Sequence, residues 1–199
     1  IQVAGGVAFL VAWQVGGSTA PYLWSTPIRV AGDLYTLVFE DNLLGLIFQS
    51  LWTLLLGFAL SMVIGVTIGM LMGRYRLFAV MFEPYFAAFY SVPRIAFVPL
   101  LVIWFGIGRE MVIATVVTAT TVLLIFSTAA GVREAGLAFS EVARSIGLTG
   151  RQMFTKVLLP GSIPYIATGM KLAVQRALVA VIVAEFVVGL TGIGKLLRD

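Results

Sequence analysis

The sequence predicts an all-α, polytopic membrane helix bundle, and three observations carry that prediction. Of the 199 residues, 60% are hydrophobic and only 11% are charged, with a mean hydropathy of +1.06. A soluble domain of this size needs far more polar surface to stay dissolved. The apolar residues fall into five blocks of spanning or near-spanning length, and crossing the hydrocarbon core takes roughly 20 helical residues. Strand-like alternation is absent, which disfavours a membrane barrel. In lipid the backbone must satisfy its own hydrogen bonds, so long apolar blocks mean helices.

The first block is Ile1–Val15, interrupted only by Gln2, Trp13 and Gln14. It lacks the basic leader of a signal peptide, and Gly16-Gly17-Ser18 is a weak cleavage signal. It reads as a truncated first transmembrane helix. Residues 16–45 are mixed and punctuated by Pro21 and Pro27. Thr26-Pro27 has the form of a helix start, with Thr as cap and Pro at the first helical position. Val30, Leu34, Leu37 and Val38 then share one face, as in an amphipathic helix at the outer membrane surface; a simple connector fits as well.

The second block runs from about Leu46 to Met72. Gly57, Ser61, Gly65 and Gly69 recur on it every four residues, a spacing that lets a second helix approach closely in lipid. The third, about Leu77 to Phe105, is expected to be broken by Pro84, Pro93 and Pro99. The fourth is Met111–Ala130 and the fifth roughly Ile166–Leu190.

Charge sets the orientation. Arg74, Arg76, Arg133, Arg144, Arg151, Lys156 and Lys171 gather on one side and define the cytoplasm, leaving Arg29, Arg109, Lys195 and Arg198 outside. The N-terminus is then inside and the C-terminus outside. Topology accounts for the net charge of +4, so nucleic acid is not implied. Zero Cys and zero His remove thiol chemistry, imidazole bases and Cys/His metal sites.

Residues 133–165 form the longest polar stretch assigned to the cytoplasm. Two short helices are expected there. Ser140 caps the first, Glu141–Ile146, and Gly147 ends it in a left-handed conformation. Thr149 caps the second, about Gly150–Leu158, with Pro160 just beyond its end. Glu141 near the start of the first suits the helix dipole. Val142, Ala143 and Ile146 would be exposed with little bulk, which fits docking in a partner's groove. An interfacial helix lying on lipid fits the same pattern.

Glu141-Val142-Ala143, Gly147, Val157, Leu159 and Pro160 resemble the EAA signature of ABC importer permeases. That signature has Glu-Ala-Ala, Gly four positions on, then an aliphatic residue, a spacer, Leu and Pro. Val142 and Val157 depart from it mildly. Ser91–Leu100 (SVPRIAFVPL) and Ile103–Gly108 (IWFGIG) are similar to permeases of the nitrate/sulfonate/taurine branch. The resemblance covers the chain from about residue 46 onward. It implies one permease domain over 1–199 of the type I kind, with six transmembrane helices, so a sixth is expected beyond the five visible. It implies a homodimer in the bacterial inner membrane, two cytoplasmic ATPase subunits, and a periplasmic substrate-binding protein. ATP and magnesium would reside on the ATPase, with no cofactor on this chain. The coupling residues it implies are Ser140, Glu141, Val142, Ala143, Arg144, Ile146, Gly147, Leu159 and Pro160.

Four charges lie within or near the apolar blocks: Glu83, Arg94, Arg176 and Glu185. Such charges normally face protein or water. Glu83 is close enough to its helix end to reach the interface, and Arg176 has a stem long enough to snorkel inward. Arg94 follows Pro93, where a broken helix can line a cavity. Pro93, Arg94 and Glu185 are therefore candidates for a translocation path that favours an anionic solute. An Arg94–Glu185 pair that only fixes packing is the alternative.

Gly189–Leu196 has the spacing of a phosphate loop, but Leu196 stands where magnesium needs Ser or Thr. It reads as an outer turn. No nucleophile–base arrangement appears, so catalysis on this chain is not expected. The rival to an ATP-driven permease is an ATP-independent secondary transporter or channel. That rival favours paired broken helices in repeated halves, and the sequence shows one broken helix and no repeat. A membrane scaffold without transport is a third reading.

Overall fold

The computed structural model describes residues 2–19, 24–39 and 42–188; the side chains of Gln2, Val3, Ile95, Ser140 and Arg144 fall outside that description. The segment Gly189–Leu196 also lies outside the described residues. Every regular element described is helical. Two compact units are distinguished, Ile1–Ile47 and Phe48–Asp199. Among the described residues two helical stretches, Leu43–Arg74 and Arg109–Phe139, are long and apolar enough to cross a membrane.

In the first unit, α1 (Gln2–Thr19) and α2 (Pro27–Phe39) are joined by a tight approach. Trp13 Nε1 donates to the carbonyl of Ser25 at 2.9 Å. A Cβ on Gly17 would lie 2.8 Å from that same oxygen, so only glycine fits there. Thr26 caps α2 as its sequence suggests, its hydroxyl accepting from the Arg29 N–H at 3.3 Å.

In the second unit, α6 (Arg109–Ser145) is the central element. Its most apolar stretch is 61% buried, against 33% for α3 (Leu43–Arg74). Being apolar all round, α6 has no solvent face to give up and takes neighbours on several sides. Met111, Val116, Leu124, Ile125 and Val132 are fully buried along it.

The small-residue stripe of α3 meets α6 in constant register. A Cβ on Gly57 would fall 2.7 Å from Val116 Cβ, one on Gly65 2.6 Å from Leu124 Cβ, one on Gly69 2.6 Å from Thr128 Cβ, and one on Gly73 2.5 Å from Val132 Cβ. Both numbers rise together, so the two helices run parallel. Ser61 fills the missing rung: Thr120 Oγ1 donates to Ser61 Oγ at 2.7 Å, and Ser61 Oγ donates to the Gly57 carbonyl at 2.8 Å. Apolar attraction between helices is weak in lipid, so close backbone approach and such hydroxyl bonds hold the pair.

The last helix, α8 (Leu159–Val188), packs antiparallel to α6. Gly131 faces Tyr165, Gly161 faces Ala135 and Gly169 faces Ser127. Ala173, Ala177, Ala180 and Ala184 continue this buried stripe.

The third apolar block departs from expectation at two of its three prolines. Pro84 does not break it; α4 (Arg76–Ser91) runs through. The break is at Val92-Pro93, where Val92 is extended (φ −76°, ψ 133°), as a residue before proline prefers. A 3₁₀ turn, Arg94–Phe97, then leads into α5 (Val98–Phe105), which has Pro99 in its first turn and ends at Gly106 with φ +73°. Proline in the first turn costs no hydrogen bond, so Pro99 starts a helix instead of stopping one.

The polar segment 133–165 is helical except for the turn at 146–149. Ser140 does not start a separate helix, because α6 continues to Ser145. No proline interrupts residues 109–145, and polarity alone does not end a helix. Thr149 does cap α7 (Gly150–Met153) through a reciprocal box with Gln152: the Thr149 N–H donates to Gln152 Oε1 at 2.9 Å, and the Gln152 N–H donates to Thr149 Oγ1 at 3.4 Å. The path then passes through a π turn, Phe154–Leu158, into α8 without stopping at Pro160. The Leu159 N–H reaches the Phe154 carbonyl, five residues back. Pro160, with no N–H to give, sits where the ladder changes register.

Candidate functional site

Two features of the second unit carry chemical character. The first is the end of α6. Gly147 adopts φ +73°, and the Leu148 N–H donates to the Ala143 carbonyl at 3.0 Å, six residues inclusive, as in a Schellman cap. This fixes the direction in which the chain leaves the helix. Val142 and Ile146 are 62% and 68% exposed there, and Glu141 is exposed beside them. Ala143 is buried, contrary to the expected exposed trio, and lines a groove of about 330 Å³ together with Val142, Ile146, Leu148, Val157 and Pro160. Glu141 lies one turn from the C-terminus of α6, not at a helix start, so the dipole disfavours its charge. A carboxylate held at the unfavourable end gains nothing from its own helix.

The second feature is a cavity of about 340 Å³ between the 3₁₀ turn, α6 and α8. Arg94 and Arg176 line it, with Gln175 and Thr115 as further polar groups and Val98 and Val179 among the apolar walls. Both guanidinium groups sit against one ring: Arg94 Cζ is 4.8 Å and Arg176 Cζ 5.2 Å from the Tyr90 centroid. Arg176 Nη2 donates to the Tyr90 hydroxyl at 2.8 Å.

The sequence model of the binding-protein-dependent transport system inner membrane component matches residues 62–199. The chain belongs to that family. The bicarbonate transport system permease protein CmpB of Synechococcus elongatus is 28% identical to this permease over 211 residues, covering all of this chain and 76% of that protein. The nitrate import permease protein NrtB of Synechocystis is 26% identical over 203 residues, covering 96% of this chain and 72% of that one. The permease is an all-α membrane helix bundle and the membrane component of an ABC transport system.

Set against the expected path residues, the permease brings some together and separates others. Pro93 is exposed at the helix break, and Arg94 lines the cavity. Glu185, 1% exposed, accepts a hydrogen bond from Ser50 Oγ at 2.8 Å, whereas Arg94 turns to Tyr90. Arg176 does not snorkel; it bends onto Tyr90 instead. Glu83 forms an ion pair with Arg133 at 2.7 Å, both half-exposed, tying α4 to α6. Pro160 lines the groove under the α6 end, Leu159 is exposed at the start of α8, and the backbones of Ser140 and Arg144 lie within α6. The sequence pattern singles out neither Tyr90 nor Gln175, and it marks Arg176 only as a charge able to snorkel. Tyr90 and Arg176 are 86 positions apart, so no local spacing announces them.

Proposed function

We propose that this permease is the transmembrane subunit of an ATP-driven, binding-protein-dependent importer of a small anionic solute, and that residues 141–147 take up the motion of an ATPase. The carrying observation is the pair Val142 and Ile146, exposed apolar side chains on a helix end that Gly147 locks in place. Exposed apolar groups beside a groove favour burial against a partner. Anions enter the reading through two relatives, whose names assign them bicarbonate and nitrate, and through the two cationic side chains of the cavity.

In this account two copies form a homodimer in the bacterial inner membrane. Residues 16–45 face the periplasm, and 133–165 face the cytoplasm. Two cytoplasmic ATPase subunits hold ATP and magnesium and perform hydrolysis. A periplasmic binding protein delivers the solute. The coupling set is Ser140 to Arg144, Ile146, Gly147, Leu159 and Pro160.

In this reading α6 acts as a lever. With 37 residues, α6 spans about 55 Å at 1.5 Å per residue. One end is the turn at 146–149; toward the other, Thr115 and Ala119 line the cavity. The α3 and α8 contacts bind two helices to this rod, so a push at its end moves all three as a body.

The test is association. Val142→Asp places a charge in the contact without touching the buried face. Co-purification with the cognate ATPase subunit should fall at least tenfold while insertion in the membrane persists. Undiminished co-purification, or an ATPase that never associates with the wild-type permease, contradicts the reading.

A further inference from the structure

Two positive side chains share the wall of the Arg94–Arg176 cavity, and no carboxylate is among the described residues lining it. The Tyr90 ring attracts each guanidinium through its negative face but carries no net charge. Like charges in a poorly screened wall repel. A second defect sits at the same place. Arg176 Nη1 is buried and has no hydrogen-bond partner among the described residues, although Nη2 is satisfied by Tyr90. A buried donor left without an acceptor carries its full desolvation cost. One ligand repairs both defects: a negative charge with several acceptor oxygens, placed between the two guanidinium groups.

We infer that this cavity is a transit site for one small oxyanion, held by Arg94 and Arg176 and oriented by Gln175. The inference rests on the importer reading and names the ligand class and the residues of its membrane step. Size sets the class. A water molecule's share of liquid volume is about 30 Å³, so about 340 Å³ holds a nitrate-, bicarbonate- or sulfonate-sized group with several waters. Charge sets it too, because a cation would meet two guanidinium groups. Shape follows from guanidinium chemistry: its planar fork of N–H donors matches paired oxygens, as an ammonium does not. The two forks hang from different elements, the 3₁₀ turn and α8. A relative shift of these elements changes the fork spacing, which gives a route from helix motion to release.

The probes are sodium nitrate and sodium methanesulfonate, exchanged against sodium gluconate at constant ionic strength. The permease–ATPase complex is kept in detergent free of anionic lipid, so that no lipid phosphate occupies the site. Thermal unfolding of the permease is followed across the exchange. Wild type should show a saturable rise of a few degrees with either probe. Arg176→Gln should abolish the rise, and Arg176→Lys should require at least tenfold more anion. Arg151→Gln, on the distant α7, should keep the full rise. Should Arg176→Gln fail to fold, Arg94→Gln and Gln175→Ala carry the test, with loss and weakening expected. A rise that survives in these variants, or no rise in wild type, overturns the transit site. ATPase co-purification is scored on the same samples. An intact complex without an anion response removes the site and leaves the importer, whereas an anion response without a bound ATPase removes the importer and leaves an anion site.

Discussion

Gly147→Val is expected to reduce solute-stimulated ATP hydrolysis by the assembled transporter to its basal rate, with normal insertion of the permease. Gly147 holds φ +73°, in the left-handed region that a β-branched side chain resists. Space is not the obstacle, since a Cβ there meets nothing within 4 Å. The cost is conformational, about 1–3 kcal/mol for a residue held in a sparsely populated region. The turn relieves it by rewinding, which breaks the Leu148 N–H to Ala143 carbonyl bond and re-aims Val142 and Ile146. Gly147→Asn, which tolerates this conformation, should retain most of the stimulation. The readout is hydrolysis with and without solute-loaded binding protein. Full stimulation in the Val variant, at normal expression, contradicts the role given to this turn.

Gly69→Val is expected to have the largest effect on the fold. A Cβ at Gly69 would lie 2.6 Å from the Ile125 carbonyl oxygen and 2.6 Å from Thr128 Cβ. Neither atom is the tip of a flexible side chain, so α3 and α6 must move apart. Overpacking costs about 1–3 kcal/mol where a core adjusts, and here the displaced element is the central helix. The rungs at Gly65 and Gly73 and the Ser61–Thr120 bond would loosen together. The yield of monodisperse permease should fall several-fold and its unfolding midpoint by several degrees. Gly136→Ala is the control: its nearest neighbour is the flexible Leu158 tip at 3.7 Å, and the yield should hold.

Legibility in the sequence follows the physics of each element. The stripe of Gly57, Ser61, Gly65 and Gly69 is visible because small residues at every fourth position have few other uses in lipid. Its partner face on α6 is not visible, because a helix apolar on all sides shows no preferred direction. Gly147 is legible because a left-handed cap demands a particular residue. The start of its helix is not, because Ser140 has the chemistry of a cap yet lies inside a longer helix. Pro160 misleads for a related reason: a π turn absorbs the missing N–H, and no residue type announces that change of register. Arg94 stands out beside Pro93, but its surroundings come from Tyr90 and Arg176, which only tertiary packing brings to it.

Coupling requires that the end of α6 meet a cytoplasmic motor. The chain has no cysteine, so Ile146→Cys introduces a single thiol at a site 68% exposed. A membrane-impermeant maleimide should label it in inside-out vesicles and leave it unmodified in intact spheroplasts. A short bifunctional thiol reagent should join it to the ATPase subunit, and ATP should change the yield. Labelling from the outer side, or reaction only with a lipid-phase reagent and no joined ATPase, would contradict the account.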